Sequence, residues 1–278
     1  MTITSLSDTD LEQMISISKH IFDFDFSGYA PESLKRRMLR LIEKWGFSSI
    51  YEFQYAITNG ELSRETLLNE ITVNVTDMFR DPKVFYKITK VVFPYLESFP
   101  EFKVWHAGCS SGQEMYSLAI LLKEHGLLKK TLQYGTDINT EVLKTAESGI
   151  YSISEMRKYS ANYLSSGGQF SLSDYYTAKY QLAKMNSELK KKMVFSSHNL
   201  VKNPSFNEFQ LIMCRNVLIY FDRDLQNKVL SLLIDSLAPY GYLVLGDKET
   251  ISFYKNKEQL ELVDKQYKIY RKKAIISD

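Results

Sequence analysis

Cysteine is scarce in this 278-residue chain: Cys109 and Cys214 are the only two. Two thiols make no disulfide framework, so a reducing compartment is the expectation. An excess of charge is missing too. The 35 Lys and Arg against 33 Asp and Glu leave a net charge of +2, too small to imply a nucleic-acid partner, so any basic surface must come from local clustering. No apolar run approaches the roughly 20 residues of a membrane span, and the first ten residues lack the basic-then-apolar pattern of a secretory leader. A soluble, cytoplasmic protein with no membrane insertion is expected. The four histidines, His20, His106, His125 and His198, are scattered without metal-ligand spacing, so no metal is expected. What is present, 44% hydrophobic and 24% charged residues, is the composition of a globular protein with one large or two modest domains.

From Ser7 to about Leu68 the pattern is helical, with Ser7 preceding Leu11 and Asp8 and Asp10 suited to a first turn. The strongest helix runs from Glu32 to Trp45, where Leu34, Met38, Leu41 and Trp45 form one apolar stripe. Its other faces carry Lys35, Arg36, Arg37, Arg40 and Lys44 against only Glu32 and Glu43. Such a face is either simply solvated or a partner surface. After Asn69 the texture changes, and Val73 to Pro82 reads as an irregular connector ending at the turn pair Asp81-Pro82. The remainder alternates strands, at Phe102 to His106, Leu132 to Thr136, Met193 to Ser197, Phe209 to Met213 and Tyr242 to Leu245, with helices. That alternation predicts a mainly parallel sheet, and Leu260 to Val263 with Gln266 to Arg271 reads as an antiparallel edge hairpin. Between Ile150 and Lys192 the periodicity fails in Tyr- and Ser-rich sequence, where Phe170 to Leu182 alternates weakly as a small hairpin would. A connection this long reads as a functional insertion.

The apolar strand Phe102 to His106 runs into Gly108-Cys109-Ser110-Ser111-Gly112-Gln113-Glu114 and then a helical pattern. A glycine turn between strand and helix lets a ligand lie against bare amides. It is neither a phosphate loop, which ends in Gly-Lys-Ser/Thr, nor the dinucleotide spacing G-x-G-x-x-G. Glu114 would repel a pyrophosphate but suits a ligand with a cationic group, such as the amine and sulfonium of S-adenosylmethionine; it could equally just complement the helix dipole. In open parallel sheets ligands sit beyond the carboxyl ends of the strands. Asp137 lies there, about 25 residues past the glycine turn, at the distance of a ribose-binding acid, or else caps the next helix. Asn199-Leu200 ends the third strand, where an amide can read an adenine edge or merely form a turn. Cys214-Arg215-Asn216 ends the fourth, and an Arg and an Asn there are costly unless they meet a ligand or each other.

Asn74-Val75-Thr76-Asp77-Met78-Phe79-Arg80, Gly108 to Ser117, Asp137-Ile138, Asn199-Leu200 and Cys214-Arg215-Asn216-Val217-Leu218-Ile219-Tyr220-Phe221-Asp222 together resemble the CheR-type chemotaxis receptor glutamate O-methyltransferases, over nearly the whole chain. The resemblance implies a Rossmann-like α/β methyltransferase domain with a small inserted β-subdomain, preceded by an all-helical domain. Its boundaries would be 1–70 for the helical domain, 71–85 for the connector and 86–278 for the methyltransferase domain, with the insertion at about 163–195. It further implies that Asn74, Thr76, Arg80, Gly108, Glu114, Asp137, Ile138, Asn199, Leu200, Arg215 and Asn216 bind S-adenosylmethionine, that the product is S-adenosylhomocysteine, and that Arg80 and Tyr220 sit nearest the transferred methyl. The partner would be the cytoplasmic helical region of a chemoreceptor or related signalling protein, met by the face carrying Lys35, Arg36, Arg37, Arg40 and Lys44, with the enzyme acting as a monomer. Gln113 stands where the family commonly has a first Glu, and Asp77-Met78 replaces a more aromatic or small pair. Other functions compatible with the sequence are a cofactor-binding signalling scaffold with little turnover and a methyltransferase acting on a small molecule.

Overall fold

Hydroxyl side chains set where the first helices begin. Ser7 accepts the amide of Asp10 ahead of α1 (Asp8–Phe22), with Asp10 returning the bond in a capping box. Ser49 and Ser63 do the same for α3 (Ile50–Thr58) and α4 (Arg64–Ile71). α2 (Pro31–Trp45) instead starts at a proline and stops at Gly46, whose φ of 74° few other residues adopt readily. The computed structural model describes residues 5–72 and 74–274. These divide into two compact units, Met1–Asn74 with Ile219–Gln226, and Val75–Leu218 with Asn227–Asp278.

In the helical unit α1 packs on α3 and α2 on α4 around Met14, Met38, Phe53, Ile57 and Ile71, none of which reaches solvent. A late segment of the chain completes it. Ala30 N donates to Tyr220 O at 2.9 Å, Asp222 N donates to Gly28 O at 2.8 Å, and Tyr29 bridges Phe221 as a single antiparallel pair. Two expectations for α2 need correction. Its stripe runs Leu34, Met38, Leu41 and Ile42, whereas Trp45, the last helical residue, is 46% exposed. Arg37 is not on the exposed basic face: three residues after Leu34 and four before Leu41, it falls on the apolar stripe and is buried. It donates to Ile71 O at 2.7 Å and to Ser33 Oγ at 3.1 Å, and its guanidinium lies 4.5 Å from the Tyr220 ring centre. Lys35 pairs with Asp8 and Lys44 with Glu70, while Arg36 and Arg40 are exposed.

The second unit begins with α5 (Pro82–Val91) and α6 (Phe93–Glu97) and continues through β1 (Phe102–Ala107), α7 (Gln113–Glu124), β2 (Thr131–Asp137), α8 (Thr140–Ser148), β3 (Ile150–Ser152), α9 (Ile153–Ser165), β4 (Tyr176–Lys179), β5 (Leu182–Met185), α10 (Ser187–Lys190), β6 (Met193–Ser197) and β7 (Phe209–Cys214). α11 (Arg223–Asp235) follows, then β8 (Leu237–Leu245), β9 (Leu260–Asp264) and β10 (Ile269–Lys272). The main sheet has the order β6-β2-β1-β7-β8-β10-β9. Its first five strands are parallel, and β10 and β9 close the edge antiparallel, as the sequence pattern predicts. Val104, Leu118, Leu121, Leu211, Met213 and Val244 are in its core. Because the chain leaves β1 for β2 on one side and later returns to β7 on the other, the order reverses at β1, and the carboxyl ends of β1 and β7 flank the crevice.

The insertion is a separate antiparallel sheet, β3-β5-β4. The weakly alternating stretch does form a hairpin, shifted a few residues on to Tyr176–Met185. α9 was not visible in the sequence pattern. Its buried face is Met156, Tyr159 and Tyr163, and its start is a capping box of Ser152 and Glu155. Bulky phenols in place of aliphatic residues hid the 3.6-residue period.

Candidate active site

The main-chain amides of Gly108 and Cys109 both donate to Thr136 O, at 2.8 and 2.9 Å, which folds the turn after β1 against the end of β2. Gly108 and Gly112 have φ of 77° and 87°. They do not simply bare amides to a ligand: a Cβ on Gly108 would lie 2.5 Å from Val217 Cγ2, and one on Gly112 2.8 Å from Ala146 Cβ. The glycines are needed because the protein itself fills that space.

Asp137 at the end of β2 accepts from Ser110 N at 2.9 Å and from Asn139 N at 3.0 Å. The capping role falls to Asn139, which accepts from Glu141 N ahead of α8, so Asp137 is not that cap. Burial pushes the Asp137 carboxyl above its usual range, against the amides of Asn139, Ser110 and Ile138. His198 N donates to Asp137 O at 3.1 Å, which brings Asn199 and Leu200 beside the same strand end. The oxygen of the Asn199 side chain accepts from Val201 N and Lys202 N, a local turn, and Leu200 is buried. Ile138 is half-buried.

Arg215, whose side chain is 2% exposed, ties three segments together. It donates to Glu114 Oε2 at 3.1 Å, to Arg80 O at 3.0 Å and to Asp81 Oδ2 at 2.8 Å. The other oxygen of Glu114 lies 3.0 Å from His106 Nδ1, and His106 Nε2 lies 3.0 Å from Gln133 Oε1. Burial opposes charge on Glu114, but the His106 hydrogen bond and the Arg215 charge outweigh it and hold its pKa below the usual carboxylate value. Arg80 sits between two non-glycine residues in left-handed conformation, Phe79 at φ 54° and Asp81 at φ 55°. Each such residue costs about 1–2 kcal/mol. The turn is over-determined by its contacts: Phe79 N donates to Ser117 Oγ at 2.8 Å, and Arg215 takes up the Arg80 carbonyl. The half-buried Arg80 side chain reaches Val75 O at 3.4 Å, and Thr76, half-buried as well, lies on the same connector.

The residues brought together in this unit are thus Arg80, Gly108, Glu114, Asp137, Arg215 and Asn216, with Thr76 on the connector and Asn199 and Leu200 next to Asp137. Asn74 and Tyr220 belong to the helical unit. Of the two departures, Gln113 accepts from Ser111 Oγ at 2.8 Å and Asp77 is exposed; burial raises the pKa of Tyr159 on α9, and the negative charge of Asp77 adds to it.

Sequence reasoning missed His106, Asp81, Ser117 and Glu249. The carboxylate of Glu249 is buried and collects the amides of Asn216, Val217, Leu218 and Gly246. Its signal was an acid three residues past a glycine at a buried strand's end; His106 showed only as a polar residue inside an apolar strand. Among the described residues no group of three or more His, Cys, Asp or Glu could hold a metal ion, and no helix is long and apolar enough to cross a membrane.

Comparison with known proteins agrees with this geometry. Residues 74–269 match the CheR methyltransferase SAM binding domain, and residues 9–72 match the CheR methyltransferase all-alpha domain. The Cher3 protein of Pseudomonas putida is 41% identical over 272 residues, covering 97% of this chain and all of the relative. The chemotaxis protein methyltransferase of Borreliella burgdorferi is 31% identical, covering 92% of this chain and 93% of the relative, and that of Listeria innocua is 30% identical over 84% and 87%. With both domains matched, and relatives aligned over nearly its full length, the chain belongs to the CheR methyltransferase family.

Proposed function

We propose that this chain transfers the methyl group of S-adenosylmethionine to glutamate side-chain carboxylates in the cytoplasmic helical region of a chemoreceptor-like signalling protein, leaving S-adenosylhomocysteine and glutamate methyl esters. The observation that carries it is the buried Arg215 network, which locks the Arg80 turn to the strand-end crevice of an S-adenosylmethionine-binding domain.

The residues fit the cofactor on three counts. Arg215 Nε is buried with no hydrogen-bond partner among the described residues, a donor held for something else. Asp137 is an acceptor at the ribose-binding position of the second strand. Glu114 is held ionised at the start of α7, as a cationic ligand requires. Thr76, Arg80, Gly108, Glu114, Asp137, Ile138, Asn199, Leu200, Arg215 and Asn216 would hold it. When bound it supplies an electrophilic methyl on a sulfonium.

A glutamate acceptor, with a free pKa near 4.3, is already anionic at neutral pH, so the protein need not supply a base. Cys109 and Cys214 are no nucleophiles, since burial pushes both thiols well above their usual pKa. The protein's task is positioning and exclusion of water. The guanidinium of Arg80 can pair with a carboxylate through its planar fork of donors. Methyl transfer cancels a positive and a negative charge, so a site with few waters favours the less polar transition state. Exposed Arg36 and Arg40 on the helical unit attract an acidic receptor helix.

The test is incubation with methyl-labelled S-adenosylmethionine and receptor cytoplasmic fragments. Alkali-labile methyl ester is expected with wild type and none with Arg80→Ala; ester formation at wild-type rate by Arg80→Ala would exclude the connector from the site.

A further inference from the structure

After Cys214 the chain turns abruptly. Asn216 takes a left-handed conformation at φ 62°, Val217 fills the space beside Gly108, and Leu218 opens a short helical turn. Three successive amides, those of Asn216, Val217 and Leu218, therefore converge on one point. Such a concavity of N–H groups is an anion site. Here the anion comes from the chain itself. Glu249 Oε1 accepts from Val217 N at 2.9 Å and Leu218 N at 2.7 Å, and Oε2 accepts from Asn216 N at 3.0 Å and Gly246 N at 2.5 Å.

The side chain reaches there from the loop after β8. β7 and β8 are paired as far as Cys214 and Leu245 and then separate, so Glu249 pins together two strand ends that no ladder bond joins any longer. Gly246 is required for this approach: a Cβ there would lie 2.8 Å from Glu249 Oε2 and 2.9 Å from Asn216 N. Glu249 is 4% exposed; burial pushes its carboxyl pKa up, and the four amides it accepts from oppose that shift without cancelling it. Asn216 stands on the pinned backbone and Arg215 directly before it, so the carboxylate sets the main-chain course from which both side chains leave.

We infer that Glu249 is a positioning residue for methyl transfer: by filling the amide concavity it fixes the backbone from which Arg215 and Asn216 face the cofactor. The inference rests on the proposed cofactor site. Its test uses the full chain, S-adenosylhomocysteine affinity by calorimetry, and steady-state methylation of receptor fragments. Glu249→Gln replaces one acceptor oxygen with an NH2 that faces amide donors. It is expected to weaken S-adenosylhomocysteine at least tenfold and raise KM for S-adenosylmethionine similarly, with kcat at saturation within about threefold of wild type. A residue that merely supported folding would reduce active protein without moving either constant. Asn216→Ala should weaken binding in the wild-type background and add little in Glu249→Gln, because both remove the same contact. Glu249→Asp keeps the charge one methylene short and is expected to lie between the two; it carries the test if Glu249→Gln does not fold. Binding and KM within twofold of wild type, or effects of Glu249→Gln and Asn216→Ala that simply multiply, would overturn the inference. Failure of the wild type to bind S-adenosylhomocysteine would instead overturn the proposed function.

Discussion

Arg215→Met removes a guanidinium from the middle of a buried network while keeping most of its aliphatic volume. Breaking one side of a buried ion pair costs roughly 3–5 kcal/mol, because the partner is left uncompensated. The bonds at stake are those to Glu114 and to the Arg80 carbonyl, since Asp81, 43% exposed, adds no more than the 0–1 kcal/mol of a surface pair. At about 2–4 °C per kcal/mol for a domain of this size, melting should fall by roughly 6–20 °C. Urea unfolding followed by Trp105 fluorescence reads this unit directly. Trp105 is wholly buried in β1, and a Trp45→Phe background silences the half-exposed indole of the helical unit. Glu114→Gln combined with Arg215→Met should cost clearly less than the two single changes summed, because the double variant leaves no stranded charge. A loss under about 1 kcal/mol at unchanged m-value, or additivity within about 0.5 kcal/mol, would refute the network as the link between the Arg80 turn and the strand ends.

Asp137→Ala should weaken S-adenosylhomocysteine binding by about 1–3 kcal/mol by calorimetry, the cost of losing hydrogen bonds to a charged acceptor; unchanged affinity in a folded variant removes Asp137 from the site. Arg36→Glu with Arg40→Glu should slow receptor methylation at constant cofactor affinity, with wild-type activity falling as salt rises, because exposed charges are screened over roughly 8–10 Å. Arg37→Ala should instead destabilise the helical unit by roughly 2–3 kcal/mol, since its buried bond to Ile71 O is lost; a thermally unchanged variant would contradict its burial. Glu114 contributes stability that is present above its unfolded pKa near 4.3 and is lost as pH falls through its lower folded value. Acid unfolding curves of wild type and Glu114→Gln should therefore differ at neutral pH, begin to draw together as pH falls past about 4.3 and meet only below the folded value; parallel curves would show that the carboxylate is not held ionised.

The parallel sheet was legible because β1 and β7 are largely apolar runs ended by Gly108 and the Cys214-Arg215-Asn216 block; β2 is not such a run, since it buries Thr131, Gln133 and Thr136 and is marked by its end at Asp137. Arg37 was misread because charge was taken as a sign of exposure, although its spacing from Leu34 and Leu41 placed it on the buried stripe. Glu249 and Ser117 were invisible for a different reason. Apart from the nearby Gly246 amide, what they bind is main-chain amide 31 to 38 residues away, and a backbone partner leaves no trace in residue identity. α9 was lost because its apolar face is tyrosine, which serves strands equally well.

The helical unit takes its last strand-like contact from a part of the chain made much later. Ala30 waits for the carbonyl of Tyr220, roughly 190 residues on, which at about 5–20 residues per second is some 10–40 s of synthesis. During that interval α1 to α4 exist without the segment that seats over Arg37 and Gly28, while nearly all of the central parallel sheet has already emerged. Assembly order and sequence order therefore diverge: the helical unit is completed only after most of the sheet has been made, because the segment that closes it comes from residues 219–226.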